Sequence, residues 1–251
     1  MSGTAAAAPR RSRATGLAFV GLALAAGALA FGVGSRPAWL TELASYAPDI
    51  ITLGQRHLLL VGVSVAFALA TGVPLGILLS RPRFARSAEG VMQVLNVGAT
   101  VPTLAVLALC MSVLGIGILP ALFGLWLATL LPIVRNTYAG LRNLSPALLD
   151  AADGMGMTAA GRLRRVELPN AAPVLFAGIR TAVTVNIAAA PLASLIGAGG
   201  FGDLIFAGIQ LYDPVMMLAG ALATAGLALL ADGVLAGLQH ALTPAGRRRA
   251  R

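Results

Sequence analysis

The run from Gly90 to Val134 holds 45 residues without one charged side chain. At about 1.5 Å per helical residue it can cross a bilayer core of about 30 Å twice. A helix on the surface of a water-soluble domain carries charge on its outer face, so this run excludes that setting. Its middle, Gly115-Ile116-Gly117-Ile118-Leu119-Pro120, is a turn signal and predicts that two spans meet there. Further uncharged runs cover 14–35, between Arg13 and Arg36, and 57–80, between Arg56 and Arg81. A fifth span is expected over about 173–198 and a sixth over about 213–237. Only 11% of the 251 residues are charged and 58% are hydrophobic, against about 25% charged in soluble domains. No strand alternation competes. The fold class is an all-α polytopic membrane protein with about six transmembrane helices.

Arginine placement orients these spans. All 18 basic residues are arginine. With both termini cytoplasmic, Arg10, Arg11 and Arg13, then Arg81, Arg83 and Arg86, then Arg135, Arg142, Arg162, Arg164 and Arg165, and finally Arg247, Arg248, Arg249 and Arg251 all fall inside. Only Arg36 and Arg56 fall outside, while Arg180 lies in the inner third of the fifth span. That asymmetry satisfies the positive-inside rule and puts the loop 136–172 in the cytoplasm. The arginines flank spans and lack interleaved aromatics, so they suit anionic lipid headgroups and no nucleic-acid partner is expected. Residues 1–13 and 241–251 read as basic cytoplasmic tails, 14–35 as an N-terminal transmembrane anchor and 36–56 as an external segment. Arg10–Arg13, the apolar run and Ala28-Leu29-Ala30 also resemble a cleavable signal; the length of the run favours a retained anchor.

Chemistry is narrowed by what is missing. A P-loop needs a lysine for the nucleotide phosphates, and the chain has none, so it cannot draw on ATP by that route alone. Cys110 lies in an apolar run and reads as a core residue. His57 and His240 stand at opposite ends of the membrane region without companion ligands, so no metal site is expected. No acid–base pair or nucleophile constellation converges, and no enzyme active site is expected.

The longest polar interruption is Asp150–Pro169, DAADGMGMTAAGRLRRVELP. Ser145-Pro146 signals a helix start, Gly154 and Gly156 a bend, and Thr158 the cap of a second short helix closed by Leu168-Pro169. From the residues alone, this hairpin either lies on the lipid surface or docks a partner. Its pattern resembles the cytoplasmic signature of ABC importer permeases: Glu-Ala-Ala, three residues, Gly, nine residues, Ile-x-Leu-Pro. The chain carries Asp150-Ala151-Ala152, Gly156 and Val166-Glu167-Leu168-Pro169 at that spacing, with Asp for Glu and Val for Ile. Stretches 100–109, 131–141, 168–183 and 195–209 are similar to the osmoprotectant branch (glycine betaine, choline, carnitine) of that family.

The resemblance implies a type I importer permease core over 57–240, with Asp150, Ala151, Ala152, Gly156, Val166, Leu168 and Pro169 in a coupling loop spanning 145–170. It implies a separate ATPase that holds ATP and Mg, a solute-binding protein outside the bacterial inner membrane, and a second permease subunit, identical or homologous. No cofactor is expected on this chain itself. A quaternary ammonium favours an aromatic cage, yet only 5% of residues are aromatic, which assigns most specificity to the binding protein. A methionine importer, whose permeases resemble this chain in the coupling loop and glycine-rich segment, is the alternative within the class. A secondary transporter or channel, or a membrane scaffold, is the alternative outside it.

Gln93, Asn96, Thr100 and Thr103 follow one another at three, four and three, so on one helix they share a face. They read either as a polar stripe on a translocation path or as hydrogen-bonding glue between helices. Asn186 is a candidate of the same kind, and Thr181 and Thr184 are weaker ones. Arg180 and Asp232 read as snorkelling groups or a mutual pair. Gly197-Ala198-Gly199-Gly200-Phe201-Gly202 matches G-x-G-x-x-G but follows no strand, so dinucleotide binding lacks its context. In the family the resemblance makes Gly199, Gly200 and Asp203 candidates for an external gate.

Overall fold

The computed structural model describes residues 38–242. The basic tail 1–13, the anchor 14–35 and the tail 241–251 beyond its first two residues lie outside the described residues. The chain divides into two units, Met1–Ser45 and Tyr46–Arg251. In the first, the described part is helix α1, Ala38–Ser45.

The second unit is helical wherever it is regular. α2 runs from Ala47 to Leu79, 33 residues, and at the rise of a helix it is about 50 Å long. It begins ten residues earlier than the run 57–80 suggested. Pro48 in the first turn and Asp49 near the positive end of the helix dipole favour a start there. Arg56 marks where an uncharged run ends, but a charge at the rim of a membrane does not stop a helix. The segment expected to be external, 36–56, is therefore helical from Ala38 to Ser45 and again from Ala47.

After a 3₁₀ turn at Pro82–Phe84 come α3, Ala85–Thr100, and α4, Thr103–Leu114. The two meet at a 97° bend. Pro102 lacks an amide hydrogen and pushes Val101 out of the helical region, to ψ 124°. The expected third span is thus a broken pair, and Thr103 does not continue the helical face of Gln93, Asn96 and Thr100.

Gly115 and Gly117 turn the chain at φ 83° and 124°, where the run 90–134 was expected to divide. α5 follows, Ile118–Arg142. Then come the short helices α6, Pro146–Gly154, and α7, Ala159–Arg162, and a π-helical segment, Leu163–Glu167. α8, Leu168–Ala189, passes into a 3₁₀ stretch, Ala190–Ile196. α9, Gly202–Leu211, and α10, Pro214–Leu242, complete the described chain. Among the described residues, four helices are long and apolar enough to span a membrane, and five spans result if the bent pair counts as one.

α5 is the central helix, packed between α2 and α8. Gly72 and Gly76 of α2 let the two backbones close up: a Cβ on Gly76 would stand 2.6 Å from Thr137 Cβ and 2.9 Å from the Val134 carbonyl. Small residues one turn apart serve helix association where lipid and side chains are equally apolar. The largest buried cluster joins Leu60, Val61, Val65, Leu107, Leu125 and Ile187.

Candidate functional site: the polar hairpin and the glycine-rich segment

The loop that interrupts the hydrophobic spans folds as a hairpin. Ser145 occupies the cap position of α6 with its backbone, its carbonyl accepting from Leu148 and Leu149; its side chain makes no capping bond. α6 ends at Gly154, and Gly156 takes φ +73°, a left-handed turn that a side chain would strain. Thr158 Oγ1 accepts from Gly161 N at 3.2 Å and caps α7. Of the residues singled out here, Asp150, Ala151 and Gly156 are exposed, Ala152 is buried, and Val166, Leu168 and Pro169 are half-buried. The hairpin therefore packs through Ala152 and presents Asp150, Ala151, Met155 and Gly156 outward.

Its root is an ion-pair chain that motif spacing did not reveal. Glu167, the unspecified residue of the Ile-x-Leu-Pro pattern, is 3% exposed. Its Oε2 accepts from Arg81 Nη2 at 2.5 Å and its Oε1 from Arg162 Nε at 2.9 Å. Arg162 Nη1 also donates to both oxygens of Asp153. The wider π turn sets residues five apart side by side, which brings Arg162 under Glu167. Asn170 Nδ2 donates to the Val166 carbonyl beside it, at 2.6 Å. Arg81, on the chain just past α2, donates through Nε to the Ile77 carbonyl at 3.2 Å, so its cation also neutralises the negative end of α2. A basic flank was visible in the sequence, but it read as lipid contact.

At the other end of α2 lies the glycine-rich segment. It follows the 3₁₀ stretch, with no strand before it, and Gly197, Gly199 and Gly200 have φ of 76°, 79° and 105°. Arg56 Nε donates to the Ala198 carbonyl at 3.1 Å. His57 is fully buried and stacks on Phe201 with ring centroids 4.6 Å apart. Neither of its ring nitrogens makes a hydrogen bond of good geometry, although the backbone at Ile187 interacts with the ring. Asp203 and Arg56 line a cavity of about 600 Å³ with Thr52, Gln55, Gly197 and Gly199. Burial pushes the Asp203 carboxyl above the ordinary range, against the pull of the Arg56 charge.

The other polar candidates separate. Gln93, Asn96 and Thr100 are exposed on α3. Asn186 is fully buried and lines no open path: its Nδ2 donates to Ser64 Oγ at 2.8 Å, tying α8 to α2. Interhelical bonding accounts for it. Arg180 and Asp232 form a mutual pair at 2.7–2.9 Å, joining α8 to α10. They line a cavity of about 410 Å³ with Thr181 and Thr184. Each of those threonines also bonds the carbonyl four residues before it. Phe67, Phe123 and Trp126 gather around an apolar cavity of about 310 Å³, an aromatic grouping that composition alone does not disclose.

Residues 72–244 match the family described as binding-protein-dependent transport system inner membrane component. The osmoprotectant import permease protein OsmY of Salmonella typhimurium is 55% identical over 205 residues, covering 82% of this chain and 87% of its own. The choline transport system permease protein OpuBB of Bacillus subtilis is 43% identical, with 80% and 92% covered. The carnitine transport permease protein OpuCB of Listeria monocytogenes is 45% identical, with 81% and 92% covered. Among solved structures, a chain of the methionine ABC transporter MetNI in an inward-facing conformation superposes with a TM-score of 0.71. It is 22% identical, covering 80% of this chain and 99% of that one.

Proposed function

The chain belongs to the family of binding-protein-dependent transport system inner membrane components, and from that premise we propose that it is the membrane-spanning subunit of an ATP-driven osmoprotectant importer. The substrate class is a small quaternary amine such as glycine betaine, choline or carnitine, in keeping with what its relatives' names say they carry. The likeness to the methionine transporter is one of fold.

The observation that carries the coupling role is the hairpin of α6 and α7. Asp150, Ala151 and Gly156 stand out from the helical bundle, and Ala152 and Glu167 root them in it. A surface of small residues with an exposed Met155 suits a partner groove better than it suits water. A separate ATPase, holding ATP and Mg, docks there on the cytoplasmic side. Its closure displaces the hairpin and drives the spans between two states. A binding protein delivers substrate at the far end, where Arg56, Asp203 and the glycines form the gate, and a second permease subunit completes the path. The exposed Gln93, Asn96 and Thr100 line that path.

Gly156→Trp and Asp150→Arg test the docking surface. Both should insert in the membrane as the wild type does, yet lose ATPase association in a pull-down and lose uptake in vesicles. Association and uptake at wild-type levels in both variants would remove the coupling assignment.

A further inference from the structure

We propose that Glu167 is a positioning residue that couples the hairpin to the distant gate through α2, in a relay that starts at Arg81 and ends at Arg56 and His57. The proposal rests on the docking role of the hairpin given above, and adds how its displacement reaches the other side.

The two ends of α2 hold the two sites. At one, Arg81 binds both α2 itself, through the Ile77 carbonyl, and the buried Glu167. At the other, Arg56 binds the Ala198 carbonyl and His57 stacks on Phe201. Twenty-five positions separate Arg56 from Arg81, about 38 Å along a helix. Gly54, one turn before His57, also lies against the Phe201 ring, so the aromatic is seated on α2 from two positions.

Pro74 interrupts the backbone ladder of α2 near its C-terminal end, between the two sites. The seating of Gly72 and Gly76 on Ile133 and Thr137 spans that weak point, so α2 shifts together with α5 rather than folding at the proline. Glu167 is the one carboxylate among the described residues paired to guanidinium groups from two sides, Arg81 and Arg162. Arg162 in turn holds Asp153 at the end of α6. A shift of α6 is thus transmitted through charge-assisted bonds, which are short and directional, rather than through sliding apolar contact.

The chemistry also indicates a variant that cuts the link without collapsing the fold. Glu167→Gln keeps the side-chain shape and removes the charge. Arg81 and Arg162 each have about a quarter of their side chain exposed, so water can take up their freed donors. Arg81→Gln cuts the same link from the helix end and serves where the buried substitution impairs insertion.

The test uses the permease assembled in proteoliposomes with its ATPase and binding protein, in a Cys110→Ala background with Gln55→Cys as reporter in the gate cavity. Thiol labelling of residue 55 is measured with and without ATP and vanadate, alongside ATP hydrolysis and substrate uptake. With Glu167 intact, ATP and vanadate change the labelling rate. In Glu167→Gln or Arg81→Gln, the ATPase should remain bound and hydrolyse ATP, the labelling change should vanish, and uptake per ATP hydrolysed should fall roughly tenfold. Arg81→Lys should restore part of the ratio. The relay is overturned if either variant keeps both the labelling change and the uptake-to-hydrolysis ratio. It is equally overturned if assembly, hydrolysis and uptake decline in proportion, which marks a purely structural pair. Gly156→Trp complexes that retain the ATPase and full uptake would instead remove the docking role, and the relay with it.

Discussion

Gly76 shows how one hydrogen atom in place of a side chain sets the position of two helices. Thr137 and the Val134 carbonyl occupy the space a Cβ would need. Gly76→Leu overpacks this contact and should destabilise the protein by about 1–3 kcal/mol, a fall in Tm of roughly 5 °C. Gly62, on the same helix with open space around it, should accept Ala without loss. Thermal unfolding of the two variants in detergent checks the contrast, and equal Tm values would refute the close seating. Other residue-scale features were equally hidden before the fold was known. The burial of Glu167 and the Asn186–Ser64 bond depend on partners 86 and 122 positions away. Neither sits at a spacing that a local pattern can register.

At the scale of elements, starts, stops and bends were largely local matters. Thr158 caps α7, Gly154 and Gly156 end α6, and Gly115–Gly117 divide α4 from α5. The exceptions have physical causes. Hydropathy located the third span but carries no information on its 97° bend, which comes from Pro102, whose ring and missing amide hydrogen break the ladder. α2 outruns its uncharged stretch because Arg56 finds the Ala198 carbonyl. The start of α10 gives a further prediction. Asp213 Oδ1 accepts from the amides of Val215 and Met216 at 3.0 and 2.9 Å, and its Oδ2 accepts from Tyr46 Oη at 2.7 Å. Asp213→Ala removes all three bonds and should cost about 1–2 kcal/mol, whereas Asp213→Asn, still able to cap, should cost less. Chemical unfolding of the two variants measures the order, and an Asn variant weaker than the Ala variant would contradict the capping geometry.

For the molecule as a whole, the question is what crosses the membrane and what drives it. Vesicles bearing the complete transporter should take up labelled glycine betaine in the presence of ATP, with excess choline or carnitine competing and methionine without effect. Uptake of methionine in place of glycine betaine would overturn the substrate class. The all-helical, membrane-spanning class and the polar hairpin were legible in the sequence. Each follows from a property carried by consecutive residues: hydropathy along a run and spacing along a loop. Only the tertiary structure decided that α2 runs from the hairpin to the glycine-rich segment and that Glu167 is held by two arginines. It also decided that Arg180 and Asp232 face each other and that Asn186 is a tie between helices. These are contacts between residues far apart in the chain. Side-chain type limits which partners a group can accept, but packing selects the one it meets.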